Sequence, residues 1–189
     1  MDAIQARTAS TCGLARSRGL TLIEVAVALA VFAILTAFAM PAWHHWLARQ
    51  ELANRAQALA TALVRARTEA IKRGHRVNLC KSPDASACAD EGDWTRGWIV
   101  HADPRAQGHP LEGEPPIARD PPVAAPITVV GNVPLDDYVS FTPLGEPRRL
   151  SGALQMGTFR ICRPGHAAVQ VVLAATGRVR TVRTRETCA

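Results

Sequence analysis

A run of 21 residues, Leu20 to Met40, holds one ionisable side chain, Glu24, and nothing else in this chain of 189 residues restricts its folding so severely. As an α-helix the run is about 31 Å long, enough to cross the hydrocarbon core of a bilayer. Residues 1–18 ahead of it carry Arg7, Arg16 and Arg18 against a lone Asp2, and a basic leader followed by an apolar run is an export signal. A secretory peptide would use Ala37-Phe38-Ala39 as its small-x-small cleavage site and leave a mature chain starting at Met40. A plain anchor would hold the basic leader in the cytoplasm. Both forms leave Glu24 inside apolar surroundings, at roughly 2.5–3.5 kcal/mol on insertion scales, with nothing to offset it.

A third form supplies the offset. The stretch "SRGLTLIEVAVALAVFAILTAFAMP" resembles the class III signal of type IV prepilins and pseudopilins, with a basic leader, Gly19 before the cut, Leu20 as first mature residue and Glu24 as the fifth. The resemblance implies cleavage after Gly19 by a prepilin peptidase and methylation of the new amino terminus on Leu20. It also implies that Glu24 pairs with the terminal amine of a neighbouring subunit during assembly, which gives the carboxylate a partner. Pro41 falls where many pilins have a helix-bending proline. Trp43-His44-His45-Trp46 reads as two tryptophans and polar histidines at a membrane interface, because adjacent histidines on a helix diverge and chelate poorly.

Past the run, Leu52, Ala56, Leu59, Leu63, Ala66 and Ala70 recur in steps of four and three, the stripe of an amphipathic helix that stops at Gly74. Arg49, Arg55, Arg65 and Arg67, with Glu51 and Glu69, are expected on its solvated faces. Short β-type runs follow at 76–80, 97–102, 127–130, 138–141, 158–162, 168–174 and 178–182, separated by Gly, Pro and Asp, as an antiparallel sheet requires. Eight prolines from 103 to 134 predict a long irregular excursion with at most a short edge strand. The expected fold is therefore α+β: a cleaved leader at 1–19, a hydrophobic helix at 20–46, and a globular domain at 47–189 in which the helix packs on an antiparallel β-sheet.

Taken in order, "LVRARTEAIKRGHRVNLCKS", "GDWTRGWIVHAD", "FTPLGEP", a cysteine in a late strand and "TGRVR" resemble the GspH/FimT group of minor pilins and pseudopilins. The proline-rich loop matches nothing in that pattern. Loss of the leader removes Cys12 and leaves Cys80, Cys88, Cys162 and Cys188, an even count that suggests two disulfides, for which three connectivities exist. Cys80 with Cys88 and Cys162 with Cys188 is the favoured arrangement. No close C-x-x-C pair or histidine cluster accompanies these cysteines, so no metal is expected. His75 lies five residues before Cys80, a spacing common by chance, and oxidation would consume the thiol that a nucleophile needs. Trp94 and Trp98 are assigned to sheet packing in preference to a ligand platform. With no P-loop and no nucleophile elbow, neither a catalytic residue nor a cofactor is expected.

The last strand carries Arg178, Arg180, Arg183 and Arg185, in a chain of net charge +6. Strand alternation puts Arg178 and Arg180 on one face, about 7 Å apart, and Arg183 and Arg185 on the other unless a bulge intervenes. Thr176-Gly177 reads as the turn before them. Gly177-Arg178-Val179-Arg180 matches the G-R-x-R motif through which the FimT branch contacts DNA, so the resemblance implies non-specific capture of double-stranded DNA by its phosphates. Salt bridges to Glu186, Asp136, Asp137 or a neighbouring pilin subunit are the competing use of these arginines. The alternative role for the whole chain is structural: an initiator of pilus assembly, or the matching pseudopilin of a type II secretion system. The expected location is the bacterial inner membrane, with the domain in the periplasm, and then the pilus.

Overall fold

The stripe on the long helix decides where everything else packs. In the computed structural model, which describes residues 21–122 and 126–189, α1 runs from Leu22 to Arg73. Gly19, Leu20 and the leader lie outside the described residues, as do the side chains of residues 38, 39, 41 and 42. Gly74 ends the helix with φ +68°, its N–H donating to Ala70 O at 3.1 Å. That left-handed turn favours glycine.

The described residues divide into two units, one up to Trp43 and one from His44 to Ala189. In the first, Thr21 and Glu24 form a reciprocal cap. Glu24 Oε2 accepts from the Thr21 N–H at 3.1 Å and from its hydroxyl at 3.2 Å, and the Glu24 N–H donates back to Thr21 Oγ1 at 3.3 Å. This is a T-x-x-E capping box, so in the single chain Glu24 serves its own helix start. The apolar residues beyond it are exposed, from Leu22 at 88 % to Leu35 at 62 %. Described without a break, the side chains of the run extend from Leu22 to Ala37, about 24 Å of helix. Among the described residues no helix is long and apolar enough to cross a membrane.

The second unit is built on the predicted stripe. Leu52, Ala56, Leu59, Leu63, Ala66 and Ala70 are all buried. The single sheet of the expectation resolves into two antiparallel four-stranded sheets. One has the order β3 (Ala118–Asp120), β2 (Trp98–Ala102), β1 (Val77–Lys81), β5 (Tyr138–Phe141); the other β4 (Thr128–Gly131), β6 (Gly157–Cys162), β7 (Ala167–Leu173), β8 (Val179–Thr187). Each predicted run overlaps one of these strands, and β8 continues five residues past the predicted end at 182. The proline-rich excursion contributes β3, a three-residue edge strand, because proline lacks the N–H that a longer ladder needs.

Trp94, in a short 3-10 helix (Trp94–Arg96), and Trp98 are fully buried core residues. Trp94 meets Phe159 edge-on at 5.1 Å and donates its Nε1–H to Leu135 O at 2.9 Å. That contact joins the loop between β4 and β5 to β6 across the core.

Two of the four helix arginines are not solvated. Arg55 is 7 % exposed, sits 3.8 Å over the Trp98 ring and pairs with Asp120 of β3. Burial presses its pKa down, and Asp120 works against that shift. Arg67 donates to Gly177 O at 3.1 Å. The helix period accounts for Arg55, since it stands three residues after Leu52 and four before Leu59, on the buried stripe itself.

Candidate functional site

The basic tail begins at a turn that permits glycine alone. Ala174 N–H donates to Arg178 O and Gly177 N–H to Ala174 O, both at 2.9 Å. Gly177 has φ +78°, and a Cβ there would stand 2.4 Å from Gly145 O and 3.1 Å from Arg67 Nε. The glycine is therefore fixed by backbone conformation and by close packing against the 142–145 turn and α1. Its neighbour in the motif, Arg178, is exposed.

From that turn β8 runs along the edge of its sheet. Leu173 faces Val179, Val172 faces Arg180, Val171 faces Thr181 and Val169 faces Arg183. Val169, Val171 and Leu173 belong to the core, so Val179, Thr181 and Arg183 share the helix-facing side while Arg180 stands on the outer side with Val172. Arg178 has the parity of Arg180. The division of Arg178 and Arg180 from Arg183 is thus the one that alternation requires.

Arg185 departs from it. Between the pairs Val169–Arg183 and Ala167–Thr187, β7 advances two residues and β8 four. Two extra residues of β8 fall in this bulge, and the Thr184 hydroxyl bonds Ala168 O at 2.9 Å within it. Arg185 lies in the bulged segment, where parity no longer assigns a face.

All four tail arginines are exposed, and among the described residues none of the ion pairs includes them. Two of their suggested partners are engaged elsewhere: Glu186 is 3.6 Å from Arg160 and Asp137 is 2.9 Å from Lys81 Nζ. The Asp136 carboxylate pairs with none of the four. What remains is a row of uncompensated cations on a rigid edge, suited to a polyanion or to a carboxylate-bearing protein surface.

Both disulfides form in the favoured pairing, with Cα–Cα distances of 5.5 Å for Cys80–Cys88 and 5.7 Å for Cys162–Cys188. The second ties the residue after β8 to β6, and Cys188 N–H also bonds His166 O at 2.9 Å. Histidine does accompany the first pair, contrary to the sequence reading. His101 of β2 brings Nε2 to 3.4 Å from Cys88 Sγ, while its Nδ1 lies 3.1 Å from Ala102 O. Burial pushes the His101 pKa down. Cys80, Cys88 and His101 form a cluster of ligating types, but both sulfurs are spent in the disulfide and offer no thiolate. The separation of 13 residues hid this contact, which the β1–β2 pairing creates.

Helix α1 and the β7–β8 end enclose a further feature, a cavity of about 290 Å³ lined by His45, Arg49, Leu52, His166, Val169 and Arg183 among others. His45 meets the His166 ring at 5.4 Å. Desolvation, and then the positive neighbours His45, Arg163 and Arg49, hold the His166 pKa down. The sequence reading did not identify this site, although His45, Arg49 and Leu52 are spaced as one helix face.

Comparison with known proteins gives two family matches. The family described as type II transport protein GspH matches residues 55–177, and the prokaryotic N-terminal methylation motif matches residues 14–40. No curated protein matches. Two crystal forms of the type IV minor pilin FimU of Pseudomonas aeruginosa share the fold. The first is 20 % identical at TM-score 0.56, covering 74 % of this chain and 97 % of that one. The second is 18 % identical at TM-score 0.51, covering 71 % and 98 %.

Proposed function

Because this chain belongs to the GspH family and is a minor pilin or pseudopilin, we propose that it captures extracellular double-stranded DNA through Arg178 and Arg180 and assists its uptake in natural transformation. The observation that carries this reading is the pair of exposed outer-face arginines with no carboxylate partner, beside a turn whose glycine is sterically fixed. Phosphate contacts dominate such binding. Nothing on this edge has the form of a helix that enters the major groove, so sequence preference is small. The chain is held in the inner membrane after the prepilin peptidase cuts at Gly19, and joins other subunits through its apolar helix and Glu24. Arg183 and Arg185 are secondary contacts.

A mobility-shift titration of the full-length protein in neutral detergent tests this. Two neutralised phosphates imply that log K falls with log salt at a slope of about −1.8. Replacing Arg178 and Arg180 together by Ala should weaken binding while the fold persists; unchanged binding refutes the site.

A structural role without DNA is the second reading, favoured by the exposed apolar side chains of Leu22–Leu35, which need lipid or other subunits to cover them. Deletion would then abolish piliation or secretion, and DNA uptake would fall only as a consequence.

A further inference from the structure

We infer that the cavity at His45, Arg49, His166 and Arg183 binds the phosphate of an anionic phospholipid, with the adjoining acyl or glycerol carbons on its apolar floor. This inference rests on the membrane placement of the apolar run and is independent of the DNA reading.

Four basic side chains from three segments converge there: His45 and Arg49 from α1, His166 from the β6–β7 turn and Arg183 from β8. Among the described residues, none of the ion pairs includes Arg49 or Arg183, and the nearby Glu51 is engaged by Arg163. Uncompensated positive charge brought together in a concave site favours an anion.

The floor argues for a lipid over a nucleic acid. Leu52 is 1 % and Val169 5 % exposed, and an apolar floor adds nothing for a phosphodiester chain but suits carbons attached to a phosphate. About 290 Å³ holds roughly ten water-sized volumes of ~30 Å³. Arg183 also lies on the opposite side of β8 from Arg178 and Arg180, so a duplex tracking the outer face makes at most a secondary contact with it. Finally, His45 and Arg49 come five and nine residues after Met40 in the sequence. Basic groups beside a membrane segment are attracted to anionic lipid.

The test uses full-length protein in neutral detergent, titrated in parallel with phosphatidylglycerol and phosphatidylcholine, with bound lipid counted by native mass spectrometry. One phosphatidylglycerol should be retained per chain where phosphatidylcholine is not. Arg49→Gln with Arg183→Gln should weaken retention about thirtyfold, Arg183→Lys should preserve it, and Arg178→Ala with Arg180→Ala should leave it unchanged. Should the double glutamine variant not fold, the exposed-site change Arg183→Gln alone carries the comparison. Equal retention of both lipids, or no loss on removing Arg183, overturns the inference. Displacement by millimolar inorganic phosphate would make this a free-anion site, and displacement by duplex DNA a part of the DNA path; either result overturns the lipid assignment. Carbonate extraction tests membrane placement separately, so failure of that premise is distinguishable.

Discussion

Arg55 and Arg180 are the same residue type on the same small domain, yet one is a structural element and the other a free charge. Arg55 lies under β3, stacked on Trp98 and paired with Asp120. Arg180 stands on an edge strand whose neighbouring carboxylates are already taken by Arg160 and Lys81. Lys81 behaves like Arg55: it is buried and its ammonium meets Asp137 Oδ1, Asp90 O and Gly92 O. The comparison teaches that basic residues in this chain divide by burial and partnership, and that the counting of charge alone mixes two populations with opposite consequences for mutation.

The strongest test of that division cuts the tail from the body. Replacing Cys162 and Cys188 by Ser opens a closure of 26 residues, against 8 for Cys80 and Cys88. Chain entropy puts the losses at about 3.5 and about 2.5 kcal/mol. Urea unfolding under oxidising conditions should therefore rank the tail bridge above the loop bridge. If β8 then also loses DNA affinity, the rigidity of the edge matters to binding; if the two bridges rank in reverse, the tail is not held as described.

Next comes Arg55→Ala. Removing one partner of a buried pair costs about 3–5 kcal/mol, and the partial exposure of Asp120 lowers the expectation to about 2–3 kcal/mol, with DNA binding unaffected once folded. A loss of unfolding free energy below about 0.5 kcal/mol in urea would place Arg55 with the free surface charges and break the comparison from that side.

The reciprocal variant, Arg178→Ala with Arg180→Ala, should alter stability by less than about 0.5 kcal/mol and weaken DNA binding by about tenfold, or 1.4 kcal/mol. Measured beside it, Arg183→Ala should have the lesser effect on DNA, since that side chain is on the helix-facing side. Equal effects would mean that parity does not decide which arginines meet the duplex.

The smallest effect is on pH. The pKa values of His101 and His166 are lowered in the folded state, chiefly by desolvation, so the unfolded chain binds more protons as pH falls through the ordinary histidine range. The stability they contribute is present above that pKa and is lost on acidification toward their folded values. The urea midpoint should be lower at pH 5 than at pH 7.5, and His101→Gln should flatten part of the difference. A midpoint that rises on acidification would contradict the buried placement of His101.

The stripe Leu52 to Ala70, the stop at Gly74, the strand runs and the turn at Gly177 were legible because each rests on local periodicity or a backbone conformation restricted to glycine. Arg55 was legible too, had its spacing from Leu52 and Leu59 outweighed its charge. The two-sheet division was not legible, because alternation along a strand says nothing about which strand lies beside it. His101 beside Cys88 and the convergence of His45 and Arg49 with His166 and Arg183 depend on pairings across the fold.

Sequence by itself determined a long helix with one carboxylate among apolar residues, an antiparallel α+β domain, two disulfides and a basic last strand, since these follow from composition and from neighbours a few positions apart. Tertiary structure alone decided which charges are spent. The carboxylates that could have neutralised the tail come from β8 itself and the loop before β5, and two of them are taken by cations of β6 and β1; which guanidinium or ammonium finds them is fixed by strand register and burial, which no local pattern encodes.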